Sequence, residues 1–102
     1  MEKKRFTRFS EFYPFYLSEH SDRVNRRLHF VGSSLVLALV LFALLTQHWV
    51  WLWAVPFAGY GFAWVGHFFF EKNKPATFSH PLYSFMGDWV MYKDILTGKV
   101  KL

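Results

Sequence analysis

The chain has 102 residues, no cysteine and a formal charge of +5. That length fits one domain, and the absence of cysteine excludes a disulfide framework, a thiolate nucleophile and any Cys-based metal site. With 53% hydrophobic and 23% aromatic residues, it carries more apolar surface than a soluble domain this small can bury; lipid is expected to cover part of it, and no nucleic-acid partner is expected, because no basic helix or aromatic platform motif accompanies the positive charge.

Residues 1–16 have neither the apolar core nor the small-residue cleavage site of a signal peptide, and their acids are unlike a transit peptide. No cleaved leader is expected. Phe6, Phe9, Phe12, Tyr13 and Tyr16 recur at helical spacing with charged residues between them. This predicts an amphipathic helix lying in the membrane interface or against a bundle. Pro14 is expected to split it into two short pieces.

Residues 28–70 contain no Asp, Glu, Lys or Arg. A single crossing needs about 20 residues, so this block predicts two spans, 28–45 and 51–70, with a turn near Thr46-Gln47-His48-Trp49. Trp49, Trp51 and Trp53 then sit at the far interface, where indole rings prefer to lie. The twelve Lys and Arg fall only at 3–27 and 72–101, seven ahead of the first span and five behind the second. Both termini are therefore expected on the cytosolic side, at the inner membrane of a bacterium or the endoplasmic reticulum of a eukaryote. Gly59, Gly61, Ala63 and Gly66 form a small-residue strip: it either admits close approach of another helix, along Gly32, Ser33 and Ser34 or from a second copy in a homo-oligomer, or simply reflects how frequent glycine is in membrane helices.

Beyond Pro75, a last helical pattern puts Leu82, Phe85, Met86, Trp89 and Lys93 on one stripe, with Gly98 as a stop. Asp88, Lys93 and Asp94 argue against a third crossing. The expected fold class is thus an all-α membrane protein: a two-span helical hairpin with an N-terminal amphipathic helix and a C-terminal interfacial helix, one membrane-embedded domain over residues 1–102.

The hairpin makes a geometric prediction about histidines. His29 and His67 each lie about 18 residues from the turn, so at about 1.5 Å per residue both return to the same depth, at the cytosolic rim. His20 and His80 lie on segments that fold back over that rim, so four of the five histidines can converge there. His48, at the turn, is roughly 27 Å away by the same rise. Clustered imidazoles without thiolates suit a catalytic metal, with positions left open for substrate and oxygen. Each one taken singly also fits a hydrogen-bonded interfacial side chain.

Glu71 stands one turn after His67 and is a candidate metal ligand or acceptor for that imidazole; a salt bridge is the alternative. Asn25, one turn before His29, either orients a ligand or caps the first span. Arg26, Arg27, Lys72 and Lys74 are expected to ring the mouth, drawing in an acyl carboxylate or snorkelling to lipid phosphates. No Gly-rich phosphate loop, G-x-S-x-G elbow, paired-carboxylate, HExxH or EF-hand pattern is present. Nucleotide chemistry, serine hydrolysis and glycoside hydrolysis are therefore unsupported.

His20 through Asn25 to His29, followed after one hairpin by Gly66-His67-Phe68-Phe69-Phe70-Glu71-Lys72-Asn73-Lys74-Pro75-Ala76, resembles the membrane family of fungal 2-hydroxy fatty acid dioxygenases. The resemblance covers nearly the whole chain. It implies an iron(II)-dependent enzyme that uses dioxygen to shorten a 2-hydroxy fatty acid by one carbon, with His20, His29 and His67 as ligands. It also implies supporting roles for Glu71 and Asn25. His80, which the family pattern lacks, is a candidate fourth ligand. In the chemistry so implied, the 2-hydroxy carboxylate chelates the metal while the acyl tail lies among Phe68, Phe69 and the span residues.

Two readings of other classes stay open. One is a non-enzymatic membrane subunit with structural histidines, associating through its small-residue strip. The other is a hydrolase or hydroxylase using the same cluster with zinc or a di-iron pair.

Overall fold

The computed structural model describes residues 6–102, and every regular element among them is helical. Lys3, Lys4 and Arg5, three of the basic residues counted ahead of the first span, lie outside the described residues.

Helix α1, Phe9–Ser18, buries Phe12 and Tyr16. It is one helix despite Pro14, correcting the expected break. The ring of a proline obstructs the carbonyl four residues earlier, and here that is Ser10, so only the first turn has to accommodate it.

Helix α2, Arg23–Thr46, starts on the Asp22 carboxylate, which accepts from the backbone N–H groups of Val24 and Asn25. Asp22 is thus the N-cap, so the capping alternative for Asn25 is overturned. The helix stops where Gln47 turns left-handed, at φ 57°, a conformation that ends many helices. Its mean hydropathy reaches 2.4 over an eighteen-residue window, and it is the one helix among the described residues long and apolar enough to cross a membrane.

After Gln47 and His48 the chain reverses and runs back along α2. This return limb changes pitch twice: a 3-10 turn over Trp49–Ala54, helix α3 over Val55–Val65, and a π turn over Gly66–Glu71. The second expected span is therefore three helical pieces, none of spanning length alone. Trp49, Trp51 and Trp53 are exposed at the reversal.

The small residues let the two limbs approach. A Cβ on Gly32 would stand 2.9 Å from the Ala58 carbonyl oxygen, and one on Gly66 would run into Asn25, whereas Gly61 faces open space. Part of the strip is thus used within the chain.

A short 3-10 turn, Ala76–Phe78, leads to helix α4, Pro81–Leu96. Its inward face is Ser84, Gly87, Met91 and Asp94, while Leu82, Phe85 and Met86 are exposed. The expected apolar stripe therefore points outward. Gly87 admits the ring of Tyr16, where a Cβ would come within 2.9 Å of Cδ2, and the α4 carboxylates Asp88 and Asp94 accept the α1 hydroxyls of Tyr16 and Tyr13. Polar bonding to α1, together with burial of Met91 against the core that holds Phe12 and Tyr16, accompanies this rotation of α4. The tail is fixed as well, since Arg26 Nε donates to the Lys101 carbonyl at 2.8 Å.

Candidate metal centre

His20 follows α1, His29 lies in the second turn of α2, and His67 sits in the π turn of the return limb. One nitrogen from each lies within 4.8 Å of the others. The ring centroids of His29 and His67 are 5.1 Å apart, so the return limb does bring them to one level. All three side chains are buried.

Hydrogen bonds settle the tautomers of two rings. His20 Nδ1 donates to the carbonyl oxygen of Tyr16 at 2.6 Å. His67 Nδ1 donates to Asn73 Oδ1 at 2.7 Å, and the amide of Asn73 is held in that orientation by donating its own Nδ2–H to the Glu19 carbonyl. Each ring thus turns an Nε2 lone pair inward. Those two Nε2 atoms face each other at 3.0 Å. His29 Nε2 is also buried without a hydrogen-bond partner, while its Nδ1 lies 3.8 Å from the Asp88 carboxylate.

Lone pairs that converge in a buried space repel unless a proton or cation lies among them. Nitrogens bound to one ion at about 2.1 Å each stand about 3 Å apart, which suits this pair. The rings border a cavity of about 10 Å³, the size of a single ion or water. The donor set therefore fits a metal. Outer oxygens bonded to the Nδ1 positions of His20 and His67 are the usual support for imidazole ligands, and the Asp88 carboxylate stands 3.8 Å from the third.

Electrostatics agree. Burial, reinforced by nearby His67, pushes the His20 imidazole down to about 3, so its lone pair is free at neutral pH. Burial pushes Asp88 up to about 6 despite the hydrogen bond from Tyr16, and burial with the Asp88 charge pushes the Tyr16 phenol well up. Tyr16 stacks on His20 at a centroid distance of 4.0 Å. It therefore touches the centre three ways: by its carbonyl, its ring and its hydroxyl.

The other expected residues lie elsewhere. His80 is not in the cluster: its Nε2 accepts from the Phe6 backbone N–H at 3.2 Å and its ring packs against Phe12. It stands just before α4 against the buried ring of Phe12, and the rings of Phe12 and Tyr16 continue from it toward His20. Glu71 does not meet His67. Its Oε1 accepts from Asp22 N at 2.8 Å and Asn25 Nδ2 at 3.1 Å, and its Oε2 from Ser21 Oγ at 2.6 Å. It clasps the end of the return limb to the start of α2.

Asn25, fully buried, belongs to that clasp. His48 is exposed at the reversal. Arg26 is engaged with the carbonyls of His20 and Ser21, while Arg27, Lys72 and Lys74 are exposed. None of these four bases borders the histidine cavity.

Sequence reasoning missed Asn73, Asp88 and the role of Tyr16. Only Tyr16 had a readable signal, since it precedes His20 by one helical turn. Asn73 reaches His67 because Lys72 is left-handed at φ 62° and Asn73 N bonds back to the His67 carbonyl at 3.0 Å.

A second, larger space adjoins the centre. It is a crevice of about 260 Å³ between α2, α3 and α4, sharing His29, Tyr60, Thr77 and Asp88 with the histidine cavity.

No curated protein and no solved structure matches the chain. Residues 6–100 match the family model described as 2-hydroxy-palmitic acid dioxygenase Mpo1-like. The three clustered histidines and all the helical elements that carry them fall inside that match, and the chain belongs to the Mpo1-like family.

Proposed function

We propose that the protein is an iron(II)-dependent oxygenase that shortens 2-hydroxy fatty acids by one carbon at the cytosolic face of a membrane. The observation that carries this reading is the convergence of three buried imidazoles, with two Nε2 atoms 3.0 Å apart, in a chain of this family. Overall, loss of the carboxyl carbon as carbon dioxide balances with one dioxygen consumed and one water released, the hydroxyl-bearing carbon becoming the new carboxyl. No external reductant is required.

His20, His29 and His67 would hold the ion. Bound there, iron supplies the one-electron chemistry that lets dioxygen react with a closed-shell acid. The chain contributes orientation and exclusion of water. Tyr16 O and Asn73 Oδ1 fix two imidazoles through their Nδ1–H groups, Asp88 flanks the third, and burial keeps bulk water from His20 and His67, which are 1% and 2% exposed.

A membrane setting is supported by the exposed apolar side chains of both limbs, among them Leu37, Leu41, Leu45, Phe57 and Phe69. In this reading the limbs cross together as a hairpin with both termini cytosolic, and Arg27, Lys72 and Lys74 meet lipid phosphates.

The test is metal analysis of the detergent-purified protein, followed by oxygen uptake with 2-hydroxypalmitic acid after anaerobic iron loading. Iron at one per chain and substrate-dependent uptake, with a product one carbon shorter, are expected. Stoichiometric zinc that iron does not replace, or iron-loaded protein without uptake, overturns the reading.

A further inference from the structure

The crevice beside the centre has a polar end and an apolar body. At its inner end stand His29 and Asp88, shared with the histidine cavity, and one turn along α2 is Ser33; Val36 and Gly59 wall it further along, and Phe85 adds apolar wall from α4. Val36 lies seven residues beyond His29, about 10 Å along α2. A site of this kind suits a single-tailed amphiphile, with the polar head toward the imidazoles and the first part of the tail along α2. Phe68 and Phe69 are exposed and are not part of its wall.

We infer that the crevice between α2, α3 and α4 holds the proximal tail of the 2-hydroxy fatty acid, and that Gly59 sets the room available to it. This rests on the proposed function for the identity of the head group. The site is a groove and not a closed tunnel, since Tyr60 and Phe85 on its walls are themselves exposed. The distal tail therefore leaves sideways into lipid, and the fold has no ruler for total chain length. Bulk near the carboxyl end is what the groove reads.

Gly59 is the informative position because a Cβ there would meet only Val36 Cγ2, at an ordinary 3.6 Å. An added Cβ at Gly59 is thus compatible with the helix pair, and because Gly59 lines the crevice a longer side chain there takes up groove space, with metal content reporting whether the fold is kept. Gly61, two residues on, faces open space and is the matched control.

The experiment uses the full chain in lipid nanodiscs with a 2-hydroxy fatty acid carrying a diazirine in its proximal tail. Labelled peptides are mapped by mass spectrometry with and without excess 2-hydroxypalmitic acid. Competable label is expected on the α2, α3 and α4 segments bearing Val36, Gly59 and Phe85. Gly59→Leu should weaken it about tenfold, the loss expected when a side chain displaces about two methylenes, and Gly61→Leu should leave it at the wild-type level.

Competable label centred on 68–70, or label insensitive to Gly59→Leu in protein that still binds metal at the wild-type ratio, overturns the assignment. Label reports binding and not turnover. A protein that labels in the groove yet consumes no oxygen would sink the oxygenase reading and leave the groove assignment standing.

Discussion

The Nε2 atoms of His20 and His67 face each other at 3.0 Å, each on a ring whose Nδ1–H is committed to an oxygen acceptor. In neutral imidazoles that arrangement sets lone pair against lone pair. A cation relieves it, so the site is built to be filled.

Ligand removal should therefore separate the histidines sharply. His20→Ala, His29→Ala and His67→Ala are each expected to lose stoichiometric metal, measured by elemental analysis after dialysis against a weak chelator. His80→Ala and His48→Ala should keep it. Retention of a full metal complement in any of the first three would mean that the cluster is not the binding site.

Asn73 offers a subtler test, because it touches the imidazole and not the ion. Asn73→Ala removes the acceptor that orients His67, and loss of such an outer partner typically lowers metal affinity about 10- to 100-fold. Asn73→Asp keeps an acceptor oxygen and should recover most of the affinity. Chelator competition reads both variants, and equal affinities for Ala and wild type would show that Asn73 does not orient the ring.

Glu71 should behave as a fastening and not as a ligand. It accepts three hydrogen bonds from Ser21, Asp22 and Asn25, so Glu71→Ala should cost about 2 kcal/mol of stability, in the range for hydrogen bonds to a charged group. Burial acts to raise its pKa, but the hydrogen bonds from Ser21, Asp22 and Asn25 outweigh it and hold the carboxyl below its ordinary value. A depressed carboxyl stabilises the fold above its unfolded pKa, and that stability is lost as pH falls through the folded one. Wild type should thus lose more stability than Glu71→Ala on acidification, as followed by thermal unfolding in detergent. Parallel pH profiles would contradict the clasp.

The contrast between Glu71 and Asn73 shows where the sequence stops being readable. The uncharged run and its midpoint turn were enough to bring His29 and His67 to one depth, even though the return limb changes pitch twice. One-turn spacing then placed Glu71 under His67, but the π turn at Gly66–Glu71 carries an extra residue per turn and rotates Glu71 toward α2. The left-handed Lys72 folds Asn73 back in its place. His80 failed for a related reason: its distance along the chain from His67 says nothing of where the start of α4 packs, which is against Phe6 and Phe12. The rotation of α4 was hidden because Met91 and two aspartates, not the stripe of Leu82, Phe85 and Met86, turn toward α1.

Two glycines on the return limb should respond to alanine with opposite signs. At Gly66 an added Cβ would collide with Asn25, a fully buried side chain tied to Glu71, so neither limb can yield without loosening the clasp. Overpacking of this kind costs about 1 to 3 kcal/mol, and Gly66→Ala is expected to lower stability by that amount and to weaken metal binding through its neighbour His67. At Gly61 nothing lies within 4 Å of the added atom. There alanine only narrows the freedom of the unfolded chain and favours the helix, a gain of about 0.5 to 1 kcal/mol. Thermal midpoints of the two variants in the same detergent should fall on either side of wild type. If both fell below it, Gly61 would be meeting a partner, and a second copy of the chain on that face would be the first candidate to test by crosslinking.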